Sequence, residues 1–228
     1  MCTRFSRVAD GKAMAQRFLL ERPILDMRPD YNISPTDPVY VVIEENGKQV
    51  LKQMFFGLIP SWAKDPKIGL KCLNARAETV ATLPSFRDSF RKRRCLVLSD
   101  GFFEWERIGA KKYPRRIVLK DRGLFAMAGL WDSWRRPDGK EIGSTAIVTT
   151  EPNSLVGAIH NRMPVILKNE DEGLWLSQSV TEPKTLLPLM KPYASEEMDS
   201  YQVSTAMNSS KEKSELCILP LEQEKSLF

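Results

Sequence analysis

The chain has 228 residues, 42% of them hydrophobic and 28% charged, which is typical of a folded globular protein and excludes a disordered or fibrous chain. It contains no apolar run of about 18 residues and no signal-peptide core near its N-terminus, so we expect no membrane partner. Four scattered cysteines and a single histidine predict neither a zinc site nor a disulfide framework. We therefore expect a reducing, cytoplasmic location, no metal and no cofactor.

The net charge of +5 is unevenly distributed along the chain. Residues 194–228 hold three lysines and seven acidic residues, which leaves a net charge of +9 on residues 1–193. A pI of 9.0 in an intracellular protein favours a polyanionic partner such as nucleic acid. A solvated basic surface without a partner explains the charge equally well.

The predicted elements follow from hydrophobic spacing and turn residues. Gly11–Leu20 has helical spacing, and Arg28–Pro38 is a proline-rich connector. Asn46-Gly47 joins two β-rich runs, Val39–Glu44 and Gln49–Phe56, which predicts a hairpin. The later predictions are a helix over Pro84–Arg93, strands over Cys95–Ser99, Phe102–Arg107, Arg116–Lys120, Leu124–Trp131 and Ala146–Thr150, a short helix from Glu151 to Ile159, and outer helices over Asn169–Ser177 and Glu182–Met190. Many short strands with helices between them, and no internal repeat or linker, predict one α+β domain around an antiparallel sheet.

Cys2 is the first candidate for reactive chemistry. Because a small residue follows Met1, we expect Met1 to be removed, which leaves a free α-amine and a thiol on one residue. The neutral amine condenses with an aldehyde to an imine, and the thiol closes on that imine to give a five-membered thiazolidine. If Met1 is retained, the Cys2 nitrogen is an amide and this ring cannot form. An unreactive cysteine at a flexible terminus is the alternative interpretation.

Two titratable residues are candidates for proton transfer. His160 lies in a polar turn stiffened by Pro164, and an ordinary histidine pKa near 6.5 suits proton transfer. Glu104 shares a strand face with Phe102, and an apolar neighbour raises a carboxyl pKa toward that of a general acid or base. A satisfied core histidine and a surface glutamate are the alternatives.

Asn74, Arg76 and Glu78 alternate along the chain, so an extended backbone places all three on one face. Such a stripe is either a solvent edge or a phosphate clamp with an amide that orients the substrate.

Six motifs occur in order along the chain and contain most of these candidates. They are M-C-x-R at Met1–Arg4, N-x-x-P at Asn32–Pro35, W-G-L-I-P-x-W at Phe56–Trp62, N-A-R-x-E-T at Asn74–Thr79, G-F-[FY]-E-W at Gly101–Trp105 and H-x-R-M-P at His160–Pro164. The motifs extend from residue 2 to about residue 208 and leave an acidic C-terminal segment of about 209–228. Taken together in this order, they resemble the SRAP family, the SOS response-associated peptidases. Two positions differ from the family: its usual glycine after the cysteine is Thr3, and its usual tryptophan before Gly57 is Phe56, which we expect to pack in the core.

The resemblance implies a single, monomeric domain over residues 1–228, with a mostly antiparallel, barrel-like core and helices packed around it. It implies a sensor of abasic sites in single-stranded DNA that forms a thiazolidine crosslink and shields the lesion during the DNA damage response. Carried over residue by residue, Cys2 is the nucleophile, Asn74 positions the amine or a sugar oxygen, Glu104 is the general acid and base, His160 assists proton transfer and Thr149 lines the same site. The implied DNA contacts are Arg4, Arg76 and Arg162 to phosphates, and Trp62, Trp105 and Pro35 to bases.

Two other functions stay open at this point. One is an N-terminal-nucleophile cysteine peptidase in which Cys2 attacks a peptide carbonyl with Glu104 or His160 as base, including one confined to removing its own Met1. The other is a non-catalytic nucleic-acid-binding module. The arginines and tryptophans favour DNA over a general peptidase, since a peptidase needs no channel of aromatic and arginine side chains.

Overall fold

Two β-sheets dominate the computed structural model, which describes residues 2–20 and 27–221. The strands are β1 (Phe5–Arg7), β2 (Asp30–Ile33), β3 (Pro38–Glu45), β4 (Lys48–Phe56), β5 (Asn74–Arg76), β6 (Arg94–Ser99), β7 (Gly101–Ile108), β8 (Lys111–Leu119), β9 (Phe125–Arg135), β10 (Glu141–Thr150), β11 (Met163–Pro164) and β12 (Met198–Gln202). The helices are α1 (Gly11–Arg17), α2 (Arg87–Lys92), α3 (Ser154–Gly157), α4 (Asn169–Leu176) and α5 (Pro183–Leu186), with 3-10 turns at Pro66–Lys71, Leu187–Leu189, Ser195–Glu197, Thr205–Asn208 and Glu215–Cys217.

Five strands of the larger sheet close into a barrel. β3 pairs with β4 and β6, β6 pairs with β9, and β9 pairs with β10, all antiparallel. A parallel pairing of β10 with β4 closes the ring, and β5 and β11 extend it from β10. The predicted α+β class and the mostly antiparallel, barrel-like core are therefore confirmed.

The helices α2 and α4 pack against the barrel, as predicted. The rings of Phe90 on α2 and Trp175 on α4 lie 6.1 Å apart, and Trp175 Nε1 donates to Cys95 O on β6 at 3.0 Å. Both aromatic side chains are fully buried, so they fix the helices to the outer face of β6. No helix in residues 2–20 and 27–221 is long and apolar enough to cross a membrane.

The second sheet carries the N-terminus and has the antiparallel order β12-β8-β7-β1-β2. Asp100 alone separates β6 of the barrel from β7 of this sheet, which holds the two sheets close together. One buried apolar cluster spans both sheets, and it contains Cys2, Phe5 and Phe102 together with Val97 and Ile147 of the barrel. Cys2 and Phe5 are thus built into the junction between the sheets.

Local sequence signals predicted several elements correctly. The hairpin of β3 and β4 turns at Asn46 and Gly47, whose φ angles of 52° and 74° are those of a two-residue type I′ turn. Phe56 is fully buried and packs edge to face on Phe5 with ring centroids 5.5 Å apart, as expected for a core residue.

The first predicted helix ends three residues earlier than expected, at Arg17. Leu19 has a left-handed backbone with a φ of 49°, which is incompatible with a right-handed helix.

Some predictions about elements were wrong. The connector Arg28–Pro38 contains strand β2, and the long helix over Glu182–Met190 is instead α5 followed by a 3-10 turn around Pro188. The acidic C-terminal segment, about 209–228, contains the 3-10 turn Glu215–Cys217. Its last residues, 222–228, and Met1 lie outside the described residues.

Candidate active site

Cys2 lies three residues before the start of β1 and is completely buried. Burial raises the pKa of its thiol well above the usual range, and the carboxylate of Glu104 adds to this effect. The thiol is therefore mostly protonated at neutral pH, and it needs a base to react as a thiolate. β1 pairs with β7 with Phe5 opposite Phe102, and Phe103 N donates to Arg4 O at 2.9 Å, so the segment that carries Cys2 lies beside the segment that carries Glu104.

Glu104 projects from β7 with a side chain that is only 3% exposed. Burial raises the pKa of its carboxyl from 4.5 to about 7. Phe102 and Phe103 precede it on the strand and pack into two different apolar clusters on the two faces of the sheet. A carboxyl with this pKa is present in both protonation states near neutrality, which is what general acid and base catalysis requires.

His160 follows α3 and lies beside Glu104, with Nδ1 at 3.7 Å from Oε1. Its backbone N–H donates to Val156 O at 2.8 Å, and its Nδ1 is 3.2 Å from both the backbone N and the backbone O of Arg162. This turn fixes the orientation of the ring. Burial lowers the pKa of His160, so the imidazole is neutral where Glu104 titrates.

Asn74 begins β5, which lies parallel to β10 with Asn74 opposite Ile147 and Arg76 opposite Thr149. The Nδ2 and Oδ1 atoms of Asn74 are both buried and have no hydrogen-bond partner among the described residues. Leu73, which precedes Asn74, packs against the same apolar cluster as Cys2. Since a buried amide normally finds partners, this side chain is suited to bind polar atoms of a ligand.

Thr149 joins this group through its backbone. Its carbonyl accepts hydrogen bonds from Ala77 N at 2.8 Å and from Arg162 Nη2 at 2.6 Å. The guanidinium of Arg162 also binds both carboxylate oxygens of Glu78, at 2.5 and 3.0 Å, and this contact lowers the pKa of Glu78. Thr149 and Glu78 thus fix Arg162, and through its backbone they fix His160. Arg76, by contrast, lies at the end of β5 and is exposed.

Arg4 is placed differently from the prediction. Its guanidinium is buried and donates to Asn32 Oδ1 and to the carbonyls of Met207 and Ser209. The side chain is therefore committed to the protein interior, and the geometry gives no support to its predicted phosphate contact.

The three predicted base contacts occupy separate loops and strands. Trp62 is 56% exposed on a loop held by bonds from Ser61 N to Asp132 Oδ2 and from Trp134 Nε1 to Ala63 O. Trp105 is half-buried on β7, and its Nε1 donates to Asn208 Oδ1 at 2.7 Å. Pro35 lies in the turn after β2.

The structure brings together four of the five predicted catalytic residues through direct contacts or coupling: Cys2 with Glu104, Glu104 with His160, and His160 with Thr149 by way of Arg162. Asn74 is linked to them through the pairing of β5 with β10. Sequence reasoning missed the roles of Glu78 and Asn32 as partners of arginines. Glu78 lies in the N-A-R-x-E-T motif and Asn32 lies in the N-x-x-P motif, so membership of a motif could have identified both residues. No cluster of three or more metal-binding side chains occurs among the described residues.

Comparison with known proteins decides the family. The family model described as "SOS response associated peptidase (SRAP)" matches residues 1–210. The chain belongs to the SRAP family. This confirms the resemblance found in the six motifs.

Curated SRAP relatives are similar over most of the chain. The abasic site processing protein YoqW of Bacillus subtilis (strain 168) is 42% identical over 217 residues, covering 94% of this chain and 97% of that protein. The abasic site processing protein HMCES of Xenopus tropicalis is 32% identical, covering 84% of this chain and 66% of the relative. A solved structure of a protein from Bacteroides thetaiotaomicron superposes with a TM-score of 0.87 at 30% identity, covering 96% of this chain and 99% of that chain.

Proposed function

We propose that this SRAP protein recognises abasic sites in single-stranded DNA and forms a thiazolidine crosslink with them through Cys2. The observation that carries the proposal is the buried carboxyl of Glu104, which lies on the strand that pairs with the segment after Cys2 and whose Oε1 is 3.7 Å from His160 Nδ1. Burial raises the pKa of this carboxyl to about 7, and its charge helps to raise the pKa of the Cys2 thiol. Relatives named abasic site processing proteins support the choice of substrate. The crosslink shields the lesion during the DNA damage response.

The proposed reaction needs no oxidant or reductant. The ring-opened deoxyribose presents an aldehyde at C1′, the Cys2 amine adds to it, and loss of water gives an imine. The thiol then adds to the imine carbon: an S–C bond forms, the C=N π pair moves to nitrogen, and the thiol proton ends on that nitrogen. Glu104 donates a proton to the departing hydroxyl and accepts one from the thiol, and neutral His160 assists at the sugar.

Asn74, two arginines, two tryptophans and the Pro35 loop hold the DNA in this proposal. The unsatisfied amide of Asn74 binds the amine or a sugar oxygen. Arg76 and Arg162 bind phosphates, while Trp62 and Trp105, with the Pro35 loop, stack against the bases that flank the lesion.

The state of the Cys2 thiol favours crosslinking over a cysteine peptidase. A peptidase nucleophile attacks as a thiolate and has a lowered pKa, whereas burial raises the pKa of this thiol. In the proposed reaction the amine forms the first bond, and the thiol meets an imine that is already electrophilic. Any peptidase activity is confined to removal of Met1 in this proposal.

The test is denaturing electrophoresis and intact mass spectrometry of the protein mixed with single-stranded DNA that contains one abasic site. The processed protein should give a covalent band with the mass of protein plus DNA minus one water. Cys2→Ala keeps the amine, so it should give an adduct only when borohydride reduces the imine.

A variant verified by mass to retain Met1 is the matched control, because it keeps the thiol and blocks the amine. It should give no stable adduct. If it crosslinks as well as the processed protein, the thiazolidine mechanism is wrong, and another cysteine or a lysine is the nucleophile.

We further propose that the protein is a monomeric, single SRAP domain that acts inside the cell and is nucleoid-associated when bound to DNA. The four free cysteines support a reducing compartment. Size-exclusion chromatography with light scattering tests the oligomeric state.

A further inference from the structure

Arg4 and Asn32, from two separate motifs, bind each other and the C-terminal part of the chain. Arg4 Nε and Nη2 donate to Asn32 Oδ1 at 2.8 and 2.5 Å, and Nη2 also donates to Met207 O at 2.5 Å. Asn32 Nδ2 donates to Ser209 O at 3.0 Å and to Glu212 O at 2.9 Å. We call this group of two side chains and three carbonyls the C-terminal clamp.

The segment held by the clamp is also fixed on its other side. Lys213 Nζ donates to Asn32 O and to Asp37 Oδ2, both at 2.6 Å. Met207 and Cys217 are fully buried in a small apolar cluster with Phe103. The clamp therefore anchors Arg4 to a rigid support, and the support does not depend on DNA.

Arg4 is separated from Cys2 by Thr3 alone. Its backbone carbonyl accepts a hydrogen bond from Phe103 N at 2.9 Å, next to the general acid and base Glu104. Once Met1 is removed, Cys2 is held by peptide bonds on one side only, so its position depends on the residues that follow it. The first side chain after it with several buried hydrogen bonds is Arg4.

We infer that Arg4 is a positioning residue that, through the C-terminal clamp, holds the Cys2 thiol at the imine carbon. The inference rests on the proposed function. Imine formation requires only the Cys2 amine. Ring closure also requires the Cys2 sulfur to reach the imine carbon before a competing reaction consumes the imine. The competing reaction removes a C2′ proton and expels the 3′ phosphate, which breaks the strand. The clamp thus sets the ratio of stable crosslink to strand scission.

The experiment measures three products of single-turnover reactions with abasic single-stranded DNA: thiazolidine crosslink, borohydride-trapped imine and nicked strand. Arg4→Met removes the donors that Arg4 contributes to the clamp and leaves those of Asn32 Nδ2. It should lower the ratio of crosslink to nicked strand by about 10-fold or more, since a small displacement of a reacting group costs up to about 10²-fold in rate. The yield of trapped imine should stay within about 2-fold of the wild-type yield, because an amine at a chain terminus condenses without that alignment. Arg4→Lys, which keeps the charge and a donor that reaches fewer acceptors, should restore part of the ratio.

Arg94→Met is the matched control. Arg94 is also a buried arginine that binds backbone carbonyls, here those of Phe90, Arg91, Trp175, Ser177 and Val180, but it lies on the α2 and α4 side of the barrel. This variant should lower the melting temperature and leave the product ratio unchanged. Circular dichroism verifies that each variant is folded, and Arg4→Lys carries the test if Arg4→Met does not fold.

A wild-type product ratio in the folded Arg4 variants overturns the inference, and so does an equal change in Arg94→Met. A fall in affinity for undamaged single-stranded DNA with no change in ratio also overturns it and returns Arg4 to phosphate binding. If the wild-type protein forms no adduct, the proposed function fails before the variants are compared.

Discussion

Asn74 buries two polar atoms that have no partner among the described residues. An unsatisfied buried amide costs about 1–3 kcal/mol of stability, a cost that is repaid when a ligand supplies the missing hydrogen bonds. The asparagine side chain therefore lowers the stability of the unliganded protein, while it favours binding of a polar ligand.

Replacement of Asn74 by the similarly sized leucine should leave the melting temperature unchanged or raise it, because no protein hydrogen bond is lost. It should also slow crosslinking by about 10²–10³-fold, the range for one lost hydrogen bond that stabilises a reacting group. Thermal unfolding and single-turnover rates measure the two effects.

Asn153→Leu is the control for this change. Asn153 caps α3 through Oδ1 to Val156 N at 2.9 Å and donates to Tyr193 O at 2.8 Å, so its loss should destabilise the protein by about 1 kcal/mol or more. Equal destabilisation by both variants would contradict a ligand-binding role for Asn74.

The raised pKa of Glu104 makes stability depend on pH. Between its ordinary pKa of 4.5 and its folded value of about 7, the folded state binds a proton that the unfolded state has released. The favourable contribution of this protonated carboxyl is complete below pH 4.5 and is lost as the pH rises through 7. Glu104→Gln has no charge to bury, so from pH 5 to pH 8 its stability should rise by about 1–3 kcal/mol relative to wild type. Urea unfolding at the two pH values measures this difference, and curves that stay parallel would show that the carboxyl is not desolvated.

The five catalytic candidates could be predicted from residue type and motif order, but the bonding of the arginines could not. Arg4 binds a residue 28 positions away and Arg162 binds one 84 positions away. Periodicity describes neighbours along one element, so it gives no information about such pairs. The charge of Arg4 suggested a contact with a DNA phosphate, whereas its side chain is buried and donates its hydrogen bonds within the protein.

At the scale of elements, the site depends on a close approach between two backbones. Gly57 follows β4 with a φ of 128°, and a Cβ added there would lie 2.9 Å from Gly69 O in the 3-10 turn Pro66–Lys71. Leu58 N donates to Cys72 O at 3.2 Å, two residues before Asn74. The approach of the two glycines thus determines where β5 begins.

Gly57→Ala should therefore destabilise the protein by about 1–3 kcal/mol, because it combines backbone strain with a steric clash. For a chain of this length that corresponds to a fall in melting temperature of about 2–4 °C per kcal/mol. Crosslinking should slow as well, since β5 carries Asn74.

Gly173→Ala is the contrasting variant. Gly173 lies in α4 with nothing within 4 Å of a new Cβ, so this change should raise stability by about 0.5–1 kcal/mol. A neutral Gly57→Ala would show that the two backbones do not need to touch.

Local sequence signals predicted some secondary-structure elements and could not predict others. The hairpin of β3 and β4 has a two-residue turn that specifies it. The strands β5, β11 and β12 have two to five residues each and exist because they pair with distant β10 or β8. Segments this short have too few positions to show a period of two, so only the folded structure reveals them.

At the scale of the whole molecule, the positive charge of residues 1–193 bears on DNA binding through where the basic side chains lie relative to the candidate site. Thr149 lies near one end of β10 and Glu141 is at the other, so a rise of about 3.3 Å per residue places them about 26 Å apart. Arg76 lies opposite Thr149, and Arg135 lies opposite Glu141. Two exposed arginines, on β5 and β9, thus lie next to opposite ends of β10, one beside the candidate site and one remote from it.

This arrangement allows a test of whether phosphate contacts are localised at the site. For single strands, log K falls with log salt with a slope of about −0.7 per phosphate neutralised. Arg76→Ala should make the slope for undamaged single-stranded DNA shallower by about 0.7, because one counterion-releasing contact is lost. Arg135→Ala lowers the net charge by the same unit but should leave the slope unchanged, since that side chain is 73% exposed and pairs with Glu141 far from Thr149. Fluorescence anisotropy over a series of salt concentrations measures both slopes. If the two variants change the slope equally, DNA binds to the basic surface as a whole, and Arg76 is not a phosphate contact of the site.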